Sequence, residues 1–121
     1  MKRILIVEDD NFLSNAYRLK MTKSGFELKM ARDGQEAMEL LKTYIPDLIL
    51  LDLVMPVKDG FTTLGEIKAD DRLKNIPVII ASNLGQKEDI DKGMALGASG
   101  YVVKSDLSLD SLIEKIKSII K

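Results

Sequence analysis

Apolar residues follow two rhythms along this chain. Short unbroken runs, Ile4 to Val7, Leu48 to Leu51, Val78 to Ala81 and Tyr101 to Val103, are bounded by turn residues and rich in branched side chains. Each is too short for a helix, so they predict strands buried on both faces. A fifth stretch, Phe26-Glu27-Leu28-Lys29-Met30, alternates apolar and charged residues and predicts a strand exposed on one face, as at a sheet edge. Between these runs apolar residues recur at the i, i+3, i+4, i+7 spacing of a helix, clearest in Ala37, Leu40, Leu41, Tyr44 and in Leu109, Leu112, Ile113, Ile116, Ile120. Phe12, Ala16 and Leu19 predict the inward stripe of an earlier helix, and the pairs Leu64 with Ile67 and Ile90 with Met94 mark two more. Gly25 is placed to close the first helix, and Ser108 or Asp110 to cap the last. Pro46 and Pro77 each precede a strand, where a missing backbone donor is tolerated.

Strand then helix, five times over, predicts a parallel sheet with helices on both faces. In 121 residues the matching α/β architecture is the flavodoxin-like doubly wound (βα)5 fold with strand order 2-1-3-4-5 in a single domain spanning 1–121. That order puts the alternating second strand at an edge. It also makes the first and third strands neighbours where the winding reverses, and open α/β sheets bind ligands there, beyond the carboxyl ends of the strands.

Composition then narrows the chemistry. Eighteen basic against nineteen acidic residues, net charge -1, leave no broad electrostatic footprint for direct nucleic acid or membrane binding. Without cysteine there are no disulfides and no thiolate metal sites, and Met1-Lys2-Arg3 leads into an apolar run too short for a signal peptide or a membrane span. A cytoplasmic location is the expectation. Histidine is absent as well, so any chemistry must run on carboxylates, hydroxyls and lysine.

The strand ends supply those groups. Glu8, Asp9 and Asp10 follow the first strand and Asp52 follows the third, which the topology brings into one crevice. Like charges this close raise one another's pKa or recruit a cation, and oxygen donors alone suit a hard ion such as Mg²⁺. Asp10 reads more simply as the cap of the helix starting near Asn11, which leaves Glu8, Asp9 and Asp52 unexplained. Ser82 after the fourth strand and Lys104 after the fifth bring a hydroxyl donor and a cation to the same rim. Acids with a metal, a hydroxyl and a lysine are the parts that offset charge on a transferring phosphoryl group, and aspartate is a covalent acceptor in such chemistry.

Over essentially its whole length the chain resembles the receiver domains of bacterial two-component response regulators. The motifs that carry the resemblance are Arg3-Ile-Leu-Ile-Val-Glu-Asp-Asp10, Asp47-Leu-Ile-Leu-Leu-Asp-Leu-Val-Met-Pro56 with Asp59-Gly60, Ser82, and Ala95-Leu-Gly-Ala-Ser-Gly-Tyr-Val-Val-Lys104. The resemblance implies that Asp52 accepts a phosphoryl group from the phosphohistidine of a histidine kinase or phosphotransfer protein. It implies that Glu8, Asp9, Asp52 and the backbone carbonyl of Val54 hold Mg²⁺, with Asp9 the more direct ligand. Ser82 and Lys104 then contact the acyl phosphate, and Ser82 with Tyr101 forms the conformational switch, Tyr101 turning inward on activation. The implied product is a phosphoprotein switch controlling a downstream protein target, with at most self-phosphorylation and autodephosphorylation and no classical enzyme activity. The same resemblance allows a homodimer through the fourth helix, fifth strand and fifth helix.

Three positions depart from the family pattern. Lys104 is followed by Ser105 where the family has a cis proline, so that either a strained cis bond or a different loop is expected. Asn83 stands where the family prefers a small residue, which bears on water access and phosphoryl lifetime. Lys58 replaces an apolar residue and reads as a solvated side chain rather than a partner contact. Among rival readings, an aspartyl-nucleophile phosphatase of the haloacid-dehalogenase type lacks its second carboxylate, since Val54 stands two residues after Asp52. A flavin carrier would want Ser, Thr or Gly amides where Glu8, Asp9 and Asp10 lie. A scaffold that has lost phosphorylation would have no need to retain all of Glu8, Asp9, Asp52, Ser82 and Lys104.

Overall fold

In a computed structural model, which describes residues 1–106 and 108–120, the five apolar runs become the five strands. Lys121, the last residue of the predicted domain, lies outside the described residues. The chain alternates β1 (Arg3–Val7), α1 (Asn11–Lys23), β2 (Glu27–Ala31), α2 (Gly34–Leu40), β3 (Leu48–Leu51), α3 (Gly60–Ala69), β4 (Val78–Ser82), α4 (Lys87–Ala95), β5 (Gly100–Val103) and α5 (Leu109–Ile119). All four strand pairings are parallel, and the order is β2-β1-β3-β4-β5. β2 is the edge its alternation predicts, with Glu27 and Lys29 exposed.

Each central strand sends alternate side chains to opposite faces, so two cores form. Leu5, Val7, Ile49, Leu51, Val78 and Ile80 face Ala37, Leu41, Leu64 and Ile67 of the α2–α3 side. Ile4, Ile6, Leu48, Leu50 and Ile79 face Tyr17 and Met21 of α1 and Leu112, Ile113 and Ile116 of α5. That strictly two-sided burial is why these strands read as continuous apolar runs.

The inward stripe of α1 differs from the one the sequence predicts. Phe12 is 84% and Leu19 63% exposed, while Leu13 packs on the core and Tyr17 and Met21 are buried. A helix of this composition carries two apolar stripes, and the sheet surface selects the one with the larger side chains. α2 is shorter than the Ala37–Tyr44 stripe: after Leu40 the residues continue in a tight turn, with Lys42 and Thr43 donating to the carbonyls three residues back. Gly25, at φ 93°, ends α1 in the left-handed conformation, and Ser108 is the cap of α5, its hydroxyl accepting from the Ser111 amide.

Candidate functional site

The site grows out of the carboxyl ends of β1 and β3. The Glu8 amide donates to the Ala31 carbonyl and the Asp52 amide to the Val7 carbonyl, so the backbone is held in sheet register one residue past each strand. Glu8 and Asp52 are therefore buried, at 4% and 6% exposure, whereas Asp9 is half-buried at the rim. Oxygens of Glu8, Asp9 and Asp52 all lie within 4.8 Å of one another, a spacing that one hard cation can span. Asp10 stands apart from this set and caps α1, accepting from the Leu13 amide at 3.0 Å, as the sequence suggests.

Lys104 supplies the opposing charge. Its ammonium lies 2.6 Å from Glu8 Oε2 and 3.3 Å from Asp52 Oδ1, so it is engaged more closely by Glu8 than by Asp52. Nothing in the sequence distinguishes those two partners, because the choice depends on where β5 delivers the lysine stem. Burial raises the pKa of both Glu8 and Asp52, more than the lysine lowers them, and the neighbouring carboxylates add to the rise. For Lys104, burial works against the charged form, but the hydrogen bond to Glu8 and the charge of Asp52 outweigh it and its pKa is raised. The crevice thus concentrates negative charge against the half-buried ammonium of Lys104.

A cavity of about 340 Å³ opens over these groups, lined by Glu8, Asp9, Asp10, Asp52, Val54, Ser82, Asn83 and Lys104. All the sequence-predicted site residues except Tyr101 line it. Ser82 is fully buried, and its hydroxyl accepts from the Leu84 amide at 3.2 Å. Tyr101 is half-buried beside the β4–α4 loop, its hydroxyl donating to the Leu84 carbonyl. Leu84 is the residue that sequence reasoning passes over: it engages both Ser82 and Tyr101, but only through its backbone, which leaves no side-chain signal.

The β3–α3 loop is held tightly against the end of β3. Leu53 donates its amide to Asp52 Oδ1 at 2.9 Å, and the Gly60 amide donates to the Leu53 carbonyl. A Cβ at Gly60 would collide with the Asp52 carbonyl oxygen, so only glycine fits there. Lys58 is not simply solvated as expected: it pairs with Glu66 at 2.6 Å and lies half-buried, because the loop folds back along α3. No cis peptide bond occurs among the described residues. Lys104 to Asp106 form a short 3₁₀ turn instead, so of the two expectations it is the different loop that holds.

The architecture and crevice together define a doubly wound α/β domain with an acidic cluster at its topological switch point. Residues 4–117 match the response regulator receiver domain, and the chain belongs to that family. The chemotaxis protein CheY of Halobacterium salinarum is 38% identical over 104 residues, covering 85% of this chain and 84% of that protein. A DNA-binding dual master transcriptional regulator, RpaA of Synechocystis, is 32% identical over 121 residues, all of this chain but 50% of that protein, so the chain spans about half the length of such relatives. Among solved structures, a Francisella response regulator receiver domain superposes with TM-score 0.91 at 30% identity, covering 99% of this chain and 97% of that one. The Mn²⁺-bound response regulator Rcp1 (34% identity, 98% and 91% covered) and the phosphorylated cyanobacterial phytochrome response regulator RcpA (37%, 98% and 90%) each give 0.85. Receiver domains are switches in two-component signal transduction, not classical enzymes, and the acidic trio fits their general use of Mg²⁺. Relatives that regulate transcription show that the small net charge of this chain does not speak for nucleic-acid binding by longer proteins of the family. No helix among the described residues is long and apolar enough to cross a membrane.

Proposed function

We propose that Asp52 is the phosphoacceptor of a two-component relay. The observation that carries this reading is its carboxylate, buried beside Glu8 and Asp9 yet 3.3 Å from the Lys104 ammonium and open to the 340 Å³ cavity. An Asp52 oxygen attacks the phosphorus of a phosphohistidine on a partner kinase or phosphotransfer protein. The O–P bond forms as the N–P bond breaks, and the imidazole nitrogen keeps the electron pair. Lys104 neutralises one phosphoryl oxygen, leaving Glu8 as the new anion replaces it. Asp9, Asp52, the Val54 carbonyl and Glu8 would hold Mg²⁺, which supplies positive charge beside the phosphoryl oxygens when bound.

The readout in this proposal runs through Leu84. Ser82 Oγ turns from the Leu84 amide to the new phosphoryl group, and Tyr101, bonded to the Leu84 carbonyl, follows the loop. α4 buries only Gly93, so it is the helix least held by the core and the one most easily displaced. The face made by α4, β5 and α5 is accordingly the surface offered to a downstream protein or to a second copy of the chain. Cytoplasmic action and the absence of direct nucleic-acid contact by this domain belong to the same reading, supported by its lack of cysteine and its net charge of -1.

Incubation with acetyl phosphate and Mg²⁺, followed by intact mass measurement, tests the proposal. One phosphoryl adduct is expected on the wild type and none on Asp52→Asn. Equal labelling of both proteins, or no labelling of the wild type, would leave the scaffold reading in its place.

A further inference from the structure

Only one residue of α4, Gly93, is buried. A Cβ there would come 2.5 Å from Ile80 Cδ1 and 3.3 Å from the Tyr101 ring, so the helix lies close on β4 and β5 without presenting a side chain to them at that point. Lys92, the preceding residue, is exposed, and its ammonium sits 4.3 Å from the centroid of the Phe61 ring at the start of α3. Its local alternative is not taken. Glu88 stands four residues before Lys92 on the same helix, the favoured order for an ion pair, yet among the described residues the pair that forms within α4 is Lys87 with Asp91. The Lys92 ammonium therefore reaches across to another helix instead of pairing within its own.

Phe61 is itself anchored. It is half-buried and packs on the α2–α3 core, and the residue before it, Gly60, donates its amide to Leu53 and has no room for a Cβ against the Asp52 carbonyl. The ring thus stands on backbone fixed to the end of β3, while the ammonium belongs to a helix with little burial of its own. A cation over an aromatic face at this distance is attracted by the ring quadrupole. We propose that Phe61 and Lys92 form a latch that holds α4 in its resting position, a link to the site separate from Ser82, Leu84 and Tyr101. It deepens the reading of the domain as a switch, from which it takes only that α4 is the part that moves. Breaking the contact raises the fraction of molecules with α4 displaced before any phosphoryl group arrives.

Amide hydrogen exchange on the unphosphorylated full chain tests this through a double-mutant cycle. Lys92→Met keeps the stem and the helix propensity but removes the charge, and should lower protection of the Asp91 to Ala95 amides about two- to fivefold, with α5 amides unchanged. Phe61→Leu should do the same, and the double variant no more than either single one. Lys92→Arg keeps the cation and should keep wild-type protection, so the two Lys92 variants decide the matter should Phe61→Leu not fold. Additive effects of Lys92→Met and Phe61→Leu, protection unaltered by Lys92→Met, or equal losses from Lys92→Met and Lys92→Arg would each overturn the latch. The cycle uses no phosphodonor, so failure of Asp52 to label, which would sink the phosphoacceptor reading, cannot mimic any of these results.

Discussion

As the proposed phosphoacceptor, Asp52 would carry two obligations that conflict: a nucleophilic carboxylate must be ionised, yet this one is buried against Glu8. Both carboxyls have folded pKa values above their ordinary 3.8 and 4.5. The folded protein therefore holds these protons more tightly than the unfolded chain, and their contribution to stability is fully present below the ordinary values and lost as pH rises through the raised ones. Asp52→Asn removes one of the two, leaves Lys104 paired with Glu8, and should stabilise the protein at neutral pH by about 1 kcal/mol, a trade of function for stability. Urea denaturation at a series of pH values above 4 should show a shallower decline for the variant. Val57 is a second residue under constraint, a β-branched side chain at φ 67° and 81% exposed. Left-handed backbone costs such a residue roughly 1–2 kcal/mol, and Asn tolerates it, so Val57→Asn should raise the unfolding free energy by about 1 kcal/mol. An unchanged urea midpoint would show that the loop relaxes at no cost.

At the scale of elements, α1 joins the site to the core, and its residues divide by face. Asp10 ends the acidic triplet but serves the helix rather than the cluster. Asp10→Ala should cost about 1 kcal/mol of stability through the lost cap, with Mg²⁺ affinity within a factor of two of the wild type. Asp9→Asn should do the reverse, and calorimetric Mg²⁺ titration beside thermal denaturation separates the two. The exposure of Phe12 predicts that Phe12→Ser changes stability by less than about 0.5 kcal/mol, whereas Met21→Ala, at a fully buried position, should cost about 2–5 kcal/mol. A large loss from Phe12→Ser would mean that the other stripe of α1 faces the sheet.

The molecule as a whole gathers the chemistry at one edge. Parallel strands all end there, so four loops from distant parts of the sequence deliver Glu8, Asp52, Ser82 and Lys104 to one crevice. That edge concentrates repulsion, which a bound cation relieves. Saturating Mg²⁺ at about one hundred times its dissociation constant should add about 2.7 kcal/mol to the unfolding free energy, and Asp52→Asn should remove most of that gain. Differential scanning calorimetry with and without Mg²⁺ reads both, and equal gains in the two proteins would place the cation elsewhere.

Strand identity, strand order and the membership of the acidic cluster were legible in the chain itself, because two-sided burial writes continuous runs such as Leu48 to Leu51 and because Glu8 and Asp52 sit immediately past them. Local rules sufficed too for the Asp10 cap and the Gly25 stop. Periodicity could not choose between Phe12–Leu19 and Tyr17–Met21, since both stripes obey the same spacing and only the sheet surface distinguishes them. The pairing of Lys104 with Glu8, the Leu84 backbone bridge and the Lys58–Glu66 contact were settled by tertiary structure alone. Each joins groups from different elements or uses main-chain atoms that every residue possesses, so no residue type announces it in advance.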